Sequence, residues 1–273
     1  MRSRTVLLQG EPGSGKSKMA ATTPRGPVHY VDVDRKILSA GWAVPMLATN
    51  EISVWELAEA IDDTNIKSRI GGLVKREKPA IMPKGWLKFA DYIQQELWAS
   101  PEGKAAQTIV IDSLTLLNEH LKTHIMYLAD KSKFTFDQWA ALKVGWMDTL
   151  SVLRDLCREH DKDLILTVHE RTKEEPGERV RGVQQQMVKI GNDLEIRNVY
   201  EGTQDVKVWA SIDGAFGDLI GAQCDEYYWL HVVMENGEPK WRCRVKPDGK
   251  RSLRTSFNVT GHTFNPDFKE IWK

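Results

Sequence analysis

Apolar residues fall into short continuous runs and into longer stretches with helical spacing. Residues 5–9, Thr-Val-Leu-Leu-Gln, are an apolar run that meets a glycine-rich turn at Gly10, which predicts a buried strand. Residues 28–32, 108–112 and 164–168 read as three more strands of the same kind. The helix after the first turn has little room, because Pro24 and Pro27 stop it. In the long connection 35–107, residues 55–61 and 86–98 predict helices, and the basic stretch 67–84 predicts a loop. Trp86, Phe89, Ala90, Ile93 and Leu97 carry the helical period. Residues 114–128 and 137–160 predict two further helices, the second with Trp139, Leu142, Trp146, Leu150, Leu153 and Leu156 on one face. Strands apolar throughout, alternating with helices, imply a mostly parallel sheet covered on both faces, an α/β core.

Beyond residue 170 the pattern changes. Residues 171–192 are polar, charged and glycine-containing, and predict a long loop of the kind that often carries function. Residues 227–234 predict a strand, Asn236-Gly237 a hairpin turn, 240–246 the return strand and Pro247-Asp248-Gly249 a second turn. The expected organisation is a core over residues 1–235 and a C-terminal β extension over 236–273 packed on the same domain. With 273 residues and 41% hydrophobic content, the chain can bury a large core. Lys+Arg and Asp+Glu are both 38, so a nucleic-acid site must come from a local patch. Cys157, Cys224 and Cys243 form no C-x-x-C pair, which predicts free thiols in a reducing cytoplasm. No signal-like segment and no run of about 18 apolar residues is present, so a cytoplasmic location without a membrane is expected.

The strongest chemical signal is Gly10-Glu11-Pro12-Gly13-Ser14-Gly15-Lys16-Ser17, a full match to G-x-x-x-x-G-K-[ST]. The glycines let successive backbone N–H groups form a nest for phosphates. Lys16 supplies a cation, the Ser17 hydroxyl a Mg²⁺ ligand, and the helix start, including Lys18, a positive terminus. Asp112 ends a buried strand, where a P-loop enzyme places the carboxylate that holds Mg²⁺; capping of the next helix is the other use of an Asp there. Ser113, not Glu, follows it, so the general base must come from elsewhere. Asp34, after the second strand, could polarise the attacking water, and Asp32 could cap or support; both could also be solvated loop carboxylates. His169-Glu170-Arg171 follows the fourth strand, at the carboxyl edge where ligands bind. His169 could sense the γ-phosphate, or simply make a structural hydrogen bond.

A basic ribbon comprises Lys240, Arg242, Arg244, Lys246, Lys250, Arg251 and Arg254. Alternation puts Trp241, Cys243 and Val245 on its opposite face. It could bind nucleic-acid phosphates, it could supply Lys250, Arg251 or Arg254 in trans to a neighbouring subunit's nucleotide, or it could be a charged protective edge. His120 and His124 have zinc-binding spacing but no partner cluster, and read as surface histidines. Trp209 and Trp241 are the two tryptophans to consider for base stacking.

The order of these motifs resembles the RecA-like P-loop NTPase core, and most of all short phage-encoded RecA-like proteins of recombination and single-strand annealing. The resemblance spans residues 5 to about 235 and implies ATP and Mg²⁺ as cofactors. It implies phosphate binding by Gly10 to Lys18, with Lys16 catalytic, and Mg²⁺ held by Ser17 and Asp112. Asp34 falls where these proteins carry a catalytic Glu, and its shorter side chain could shift the base role to Glu170. His169 falls where they carry a γ-phosphate sensor. The 171–192 segment falls where they meet single-stranded DNA, with Arg171, Lys173, Arg179, Arg181 and Lys189 as candidate contacts and Gln184 to Gln186 as polar ones. Self-association into a ring or filament and a single-strand-binding protein partner also follow from the resemblance. Two other functions fit the residues: a P-loop kinase of a nucleotide or small metabolite, and a non-catalytic, ATP-switched DNA-annealing scaffold.

Overall fold

The computed structural model describes residues 3–57, 82–131, 133–173, 183–190, 193–200, 207–212, 216–247 and 252–272. In chain order the central strands are β1 (Thr5–Gly10), β2 (Val28–Asp32), β3 (Ile52–Glu56), β4 (Thr108–Asp112) and β5 (Asp163–Lys173). They are followed by β6 (Val183–Ile190), β7 (Asp193–Tyr200), β8 (Lys207–Ala210), β9 (Glu226–Glu235), β10 (Glu238–Arg244) and β11 (Thr263–Phe264). The main sheet runs β11-β10-β9-β1-β5-β4-β2-β3, with β8 joined to the end of β5. Pairing is parallel from β9 across to β3 and antiparallel at β9–β10 and β10–β11. The fold is thus the expected α/β core, a mostly parallel sheet with helices on both faces, with a C-terminal hairpin continuing its sheet.

The uniformly apolar strands have a simple cause: alternate residues feed two layers. Leu7, Val31, Ile109, Ile111, Leu164 and Leu166 face one layer, and Val6, Leu8, Tyr30, Val110 and Ile165 face the other. The first layer is closed by α3 (Gly85–Asp91), α5 (Leu114–Leu128) and α6 (Phe136–Glu159), through Phe89, Leu117, Leu121, Leu142, Trp146 and Leu150. The second is closed by α1 (Lys16–Ala20) and by α8 (Phe268–Ile271), through Met19, Phe268 and Ile271. The short helices α2 (Ala43–Ala48), α4 (Pro101–Ala105) and α7 (Phe216–Leu219) complete the connections. Among the described residues no helix is long and apolar enough to cross a membrane.

Two expectations need correction. The helix expected over 55–61 begins as strand: Ile52–Glu56 pairs with β2 from Val28↔Ile52 to Asp32↔Glu56, and residues 58–61 lie outside the described residues. Pairing with the free edge of β2 overrides the local pattern, and Leu57 N–H still donates to Asp32 O at 3.1 Å. Within the segment expected as a loop over 171–192, the described residues 171–173 and 183–190 are strand as well. β5 continues to Lys173 against β8, and β6 and β7 form a two-stranded antiparallel ladder from Val183↔Tyr200 to Ile190↔Asp193. The ladder is made by backbone groups, so polar side chains do not prevent it, and Gly191-Asn192 was an available hairpin signal. The helical spacing over 86–98 is borne out by α3, continued by a π-helical turn at Tyr92–Glu96.

Candidate functional site

The glycine-rich turn joins β1 to α1. β1 lies between β5 and β9, and Gly10 sits opposite His169 on one side and Leu230 on the other. A side chain at Gly10 would meet Leu230 O at 2.2 Å, so the neighbouring strand itself requires glycine there. Gly13 and Gly15 hold left-handed backbone, at φ 78 and 90, which curls the turn back over its own start. Lys16 is buried beneath the curl, and its Nζ donates to Gly10 O at 2.9 Å and Glu11 O at 2.8 Å. Burial outweighs the pull of Asp112, Glu170 and Asp34 and lowers the ammonium to about 8.

Asp112 closes β4 with 6% exposure. Thr167 on β5 donates to its Oδ1 at 2.5 Å, and the Ser17 hydroxyl also hydrogen-bonds it. Burial nonetheless pushes the carboxyl up. A hydroxyl and a carboxylate side by side, both opening on the turn, are a hard oxygen donor set that fits Mg²⁺, an ion that completes its shell with water and phosphate. No group of three or more His, Cys, Asp or Glu that could hold a metal occurs among the described residues. His124 is buried and lowered by desolvation, and takes no part in such a group.

Asp34 follows β2 in a tight turn that Asp32 organises. Asp32 Oδ2 accepts from Lys36 N at 2.8 Å and Ile37 N at 2.7 Å, while Val33 N and Asp34 N donate to Asp112 O. Asp34 Oδ1 accepts from Ser113 Oγ at 2.9 Å. Its Oδ2 lies 3.4 Å from Lys36 Nζ and 3.9 Å from His169 Nε2. Burial works to raise this carboxyl, but His169, Ser113 and Lys36 together hold it at about 2. His169 Nδ1 lies 3.4 Å from Lys16 Nζ. An ammonium only donates, so Nδ1 accepts and the ring turns Nε2 toward Asp34. The Thr115 hydroxyl fixes the His169 backbone at 2.9 Å.

Gly13, Gly15, Lys16, Ser17, Asp34, Asp112 and His169 therefore converge on one cavity of about 720 Å³, with Pro12 and Lys18 at its rim. Glu170 acts on Lys16 from outside this lining: its Oε2 accepts from Trp229 Nε1 at 2.7 Å, across the end of β1. The backbone of Arg171 and Lys173 lies on β5 against β8, and that of Lys189 on β6 against β7. Arg179 and Arg181 lie outside the described residues, as do Lys250 and Arg251. Arg254 pairs with Tyr227, which sits opposite Leu7 and well short of the turn at Gly10. The ribbon's charges are largely engaged: Arg242 clamps Glu235 at 2.7 and 2.9 Å, Lys240 meets Glu238 at 3.3 Å, and Arg244 Nε donates to Lys246 O at 3.1 Å.

Sequence reasoning singled out Lys240, Arg242 and Trp241 but missed that they help form a second wall of the cavity. It is built by Trp42 and Lys36 after β2, by Lys240, Trp241 and Arg242 on β10, and by Asn265, Pro266 and Asp267 before α8. The odd–even alternation of β10 was the available signal, since it aligns Trp241 with buried Cys243 and Val245.

No family model matches the chain, and no curated protein is detectably similar to it. Among solved structures, it is similar to the flagellar accessory protein FlaH from Methanocaldococcus jannaschii, at 12% identity and a TM-score of 0.42, covering 88% of this chain and 76% of that one. It is also similar to a KaiC-like protein from Pyrococcus horikoshii OT3, at 16% identity and a TM-score of 0.35, covering 93% of this chain and 82% of that one. Both superpositions are loose, and neither bears on function.

Proposed function

We propose that this chain binds ATP with Mg²⁺ at the Gly10–Lys18 turn, hydrolyses it, and couples that cycle to single-stranded DNA. The observation that carries the reading is the convergence of Lys16, Ser17, Asp112, Asp34 and His169 from four separate segments on one cavity. The turn's backbone N–H groups and Lys16 bind the β- and γ-phosphates. Ser17 and Asp112 hold Mg²⁺, which supplies charge neutralisation at those phosphates when bound. Asp34 orients the attacking water. With its carboxyl held at about 2 it is a weak base, so its part is positioning more than proton removal, and slow basal turnover is expected. His169, between Lys16 and Asp34, is the group placed to register the γ-phosphate and relay its presence along β5 to the DNA segment.

DNA contact by Arg171, Lys173, Arg179, Arg181 and Lys189, and action of Lys250, Arg251 or Arg254 on a neighbouring copy in a ring or filament, complete this reading. The weak base also favours a second one, a scaffold that ATP switches without fast turnover. The experiment is the ATPase rate with and without single-stranded DNA, for the native chain and for Lys16→Ala. Stimulation by DNA that Lys16→Ala abolishes is expected. Turnover indifferent to DNA, or appearing only with a small acceptor, would replace the DNA role with phosphoryl transfer. Binding without turnover would leave the scaffold.

A further inference from the structure

We infer that the C-terminal extension supplies the nucleobase site, with Trp241 as a stacking platform that holds purine bases without reading their edges; this rests on the nucleotide reading above. Gly13, Gly15 and Lys16 of the phosphate turn line the same cavity as Lys18, Thr22 and residues 240–242 and 265–267. A nucleoside attached to phosphates held at the turn would share this cavity with Trp241, which itself contacts Gly13.

Three observations fit Trp241 to a planar ligand. Its position is fixed from below, because Nε1 donates to Gly13 O at 3.1 Å and Cδ1 lies 3.3 Å from where a side chain on Gly15 would begin. It remains 45% exposed although its neighbours on the same face of β10, Cys243 and Val245, are fully buried. A large aromatic ring that is anchored and yet uncovered, beside a phosphate site, is a preformed surface for a base. Trp42 contributes a second indole to the lining of the same cavity.

The polar side chains of this wall already hold partners in the protein, with Lys36 facing Asp34 at 3.4 Å and Lys240 facing Glu238 at 3.3 Å. Asn265 Oδ1 accepts from Arg242 at 2.8 Å while its Nδ2 donates to Glu270 at 2.9 Å. Arg242 also holds Glu235, Asp267 Oδ1 caps Lys269 N at 2.8 Å, and the Thr22 hydroxyl lies between Met19 O and Phe268 N. Reading the Watson–Crick edge of a particular base would compete with these bonds for the same side chains. Stacking needs none of them and is tolerant of base identity, favouring the larger purine ring. The ligand class is therefore purine nucleoside triphosphates, ATP and GTP alike.

The test is equilibrium binding of Mg·ATP, Mg·GTP, Mg·CTP and Mg·tripolyphosphate to the native chain, Trp241→Ala and Trp241→Phe. The native chain is expected to bind ATP and GTP within about threefold of each other, and CTP more weakly, because purines stack better. Trp241→Ala should lose about tenfold for both purine nucleotides while keeping tripolyphosphate affinity, and Trp241→Phe should retain most of the nucleotide affinity. An equal loss for tripolyphosphate would show that Trp241 only props the turn, and no loss at all would remove it from the site; either overturns the inference and leaves the phosphate nest standing. Strong discrimination between ATP and GTP would overturn the edge-blind part. A native chain that binds neither nucleotide nor tripolyphosphate would overturn the phosphate nest itself, and this inference with it.

Discussion

Lys16 sits at 5% exposure against two backbone carbonyls, and it must carry its charge in a place that opposes charge. Its folded value of about 8 is lowered from 10.5, so between these limits the unfolded chain holds the proton more firmly. Stability of the ligand-free protein from this group consequently rises with pH across that window, while attraction for phosphate falls. Nucleotide affinity measured from about pH 7 to about pH 9.5 should decline through about 8, where an ordinary lysine would stay charged. Lys16→Arg, whose guanidinium does not titrate there, should flatten the decline. Asp34 has the same sign in a lower window, because its pKa too is lowered on folding. Held at about 2, its carboxylate contributes stability above its ordinary value near 3.8 that is lost only as pH falls through about 2. Asp34→Asn should therefore lower turnover with little effect on nucleotide binding, a split that single-turnover and binding measurements separate.

The elements around the site are held by close approach more than by local propensity. β1 runs with strands on both sides, and the approach of Leu230 O leaves no room for a side chain at Gly10. Gly10→Ala should cost about 1–3 kcal/mol, since backbone rather than a flexible side chain must yield, and denaturant unfolding would record the loss. α6 depends on a single large anchor. Trp146 is 1% exposed, stacks on Phe216 at 5.7 Å and donates Nε1 to Asn118 at 2.9 Å. Trp146→Ala should cost about 3–5 kcal/mol in the same assay. Unchanged stability would mean that α6 packs without it.

At the scale of the whole molecule the charges balance, so the proposed DNA affinity would have to come from a few placed cations. If Arg171, Lys173 and Lys189 each neutralise a phosphate, replacing all three by Ala should flatten the log–log salt dependence of single-strand binding by about 2, at about 0.7 per contact. Fluorescence anisotropy over a salt series measures it, and an unchanged slope would move the DNA surface elsewhere. The C-terminal segment ties the nucleotide cavity to the rest of the molecule. β10 extends the main sheet, and Phe268 N of α8 donates to Thr22 just past α1 at 3.0 Å.

The sequence by itself determined the features that neighbouring residues can dictate. The phosphate turn follows from Gly13, Gly15 and Lys16 within eight consecutive positions, and the layered core follows from apolar runs whose alternate residues must face opposite ways. Asp112 and Asp34 were legible as strand-end carboxylates because polar residues after buried strands stand out. Tertiary structure alone decided which strand ends lie side by side. Thr167 meets Asp112 across 55 residues, His169 meets Lys16 across 153, and Trp241 reaches Gly13 across 228. Periodicity states that a segment is a strand and which residues it buries, but not which neighbour it takes, and a free edge can draw the start of an expected helix, Trp55 and Glu56, into a strand. Strand order is chosen by the packing of the whole sheet, so the partners of Asp34, the diversion of Glu170 to Trp229 and the wall behind Trp241 were fixed only when the sheet closed.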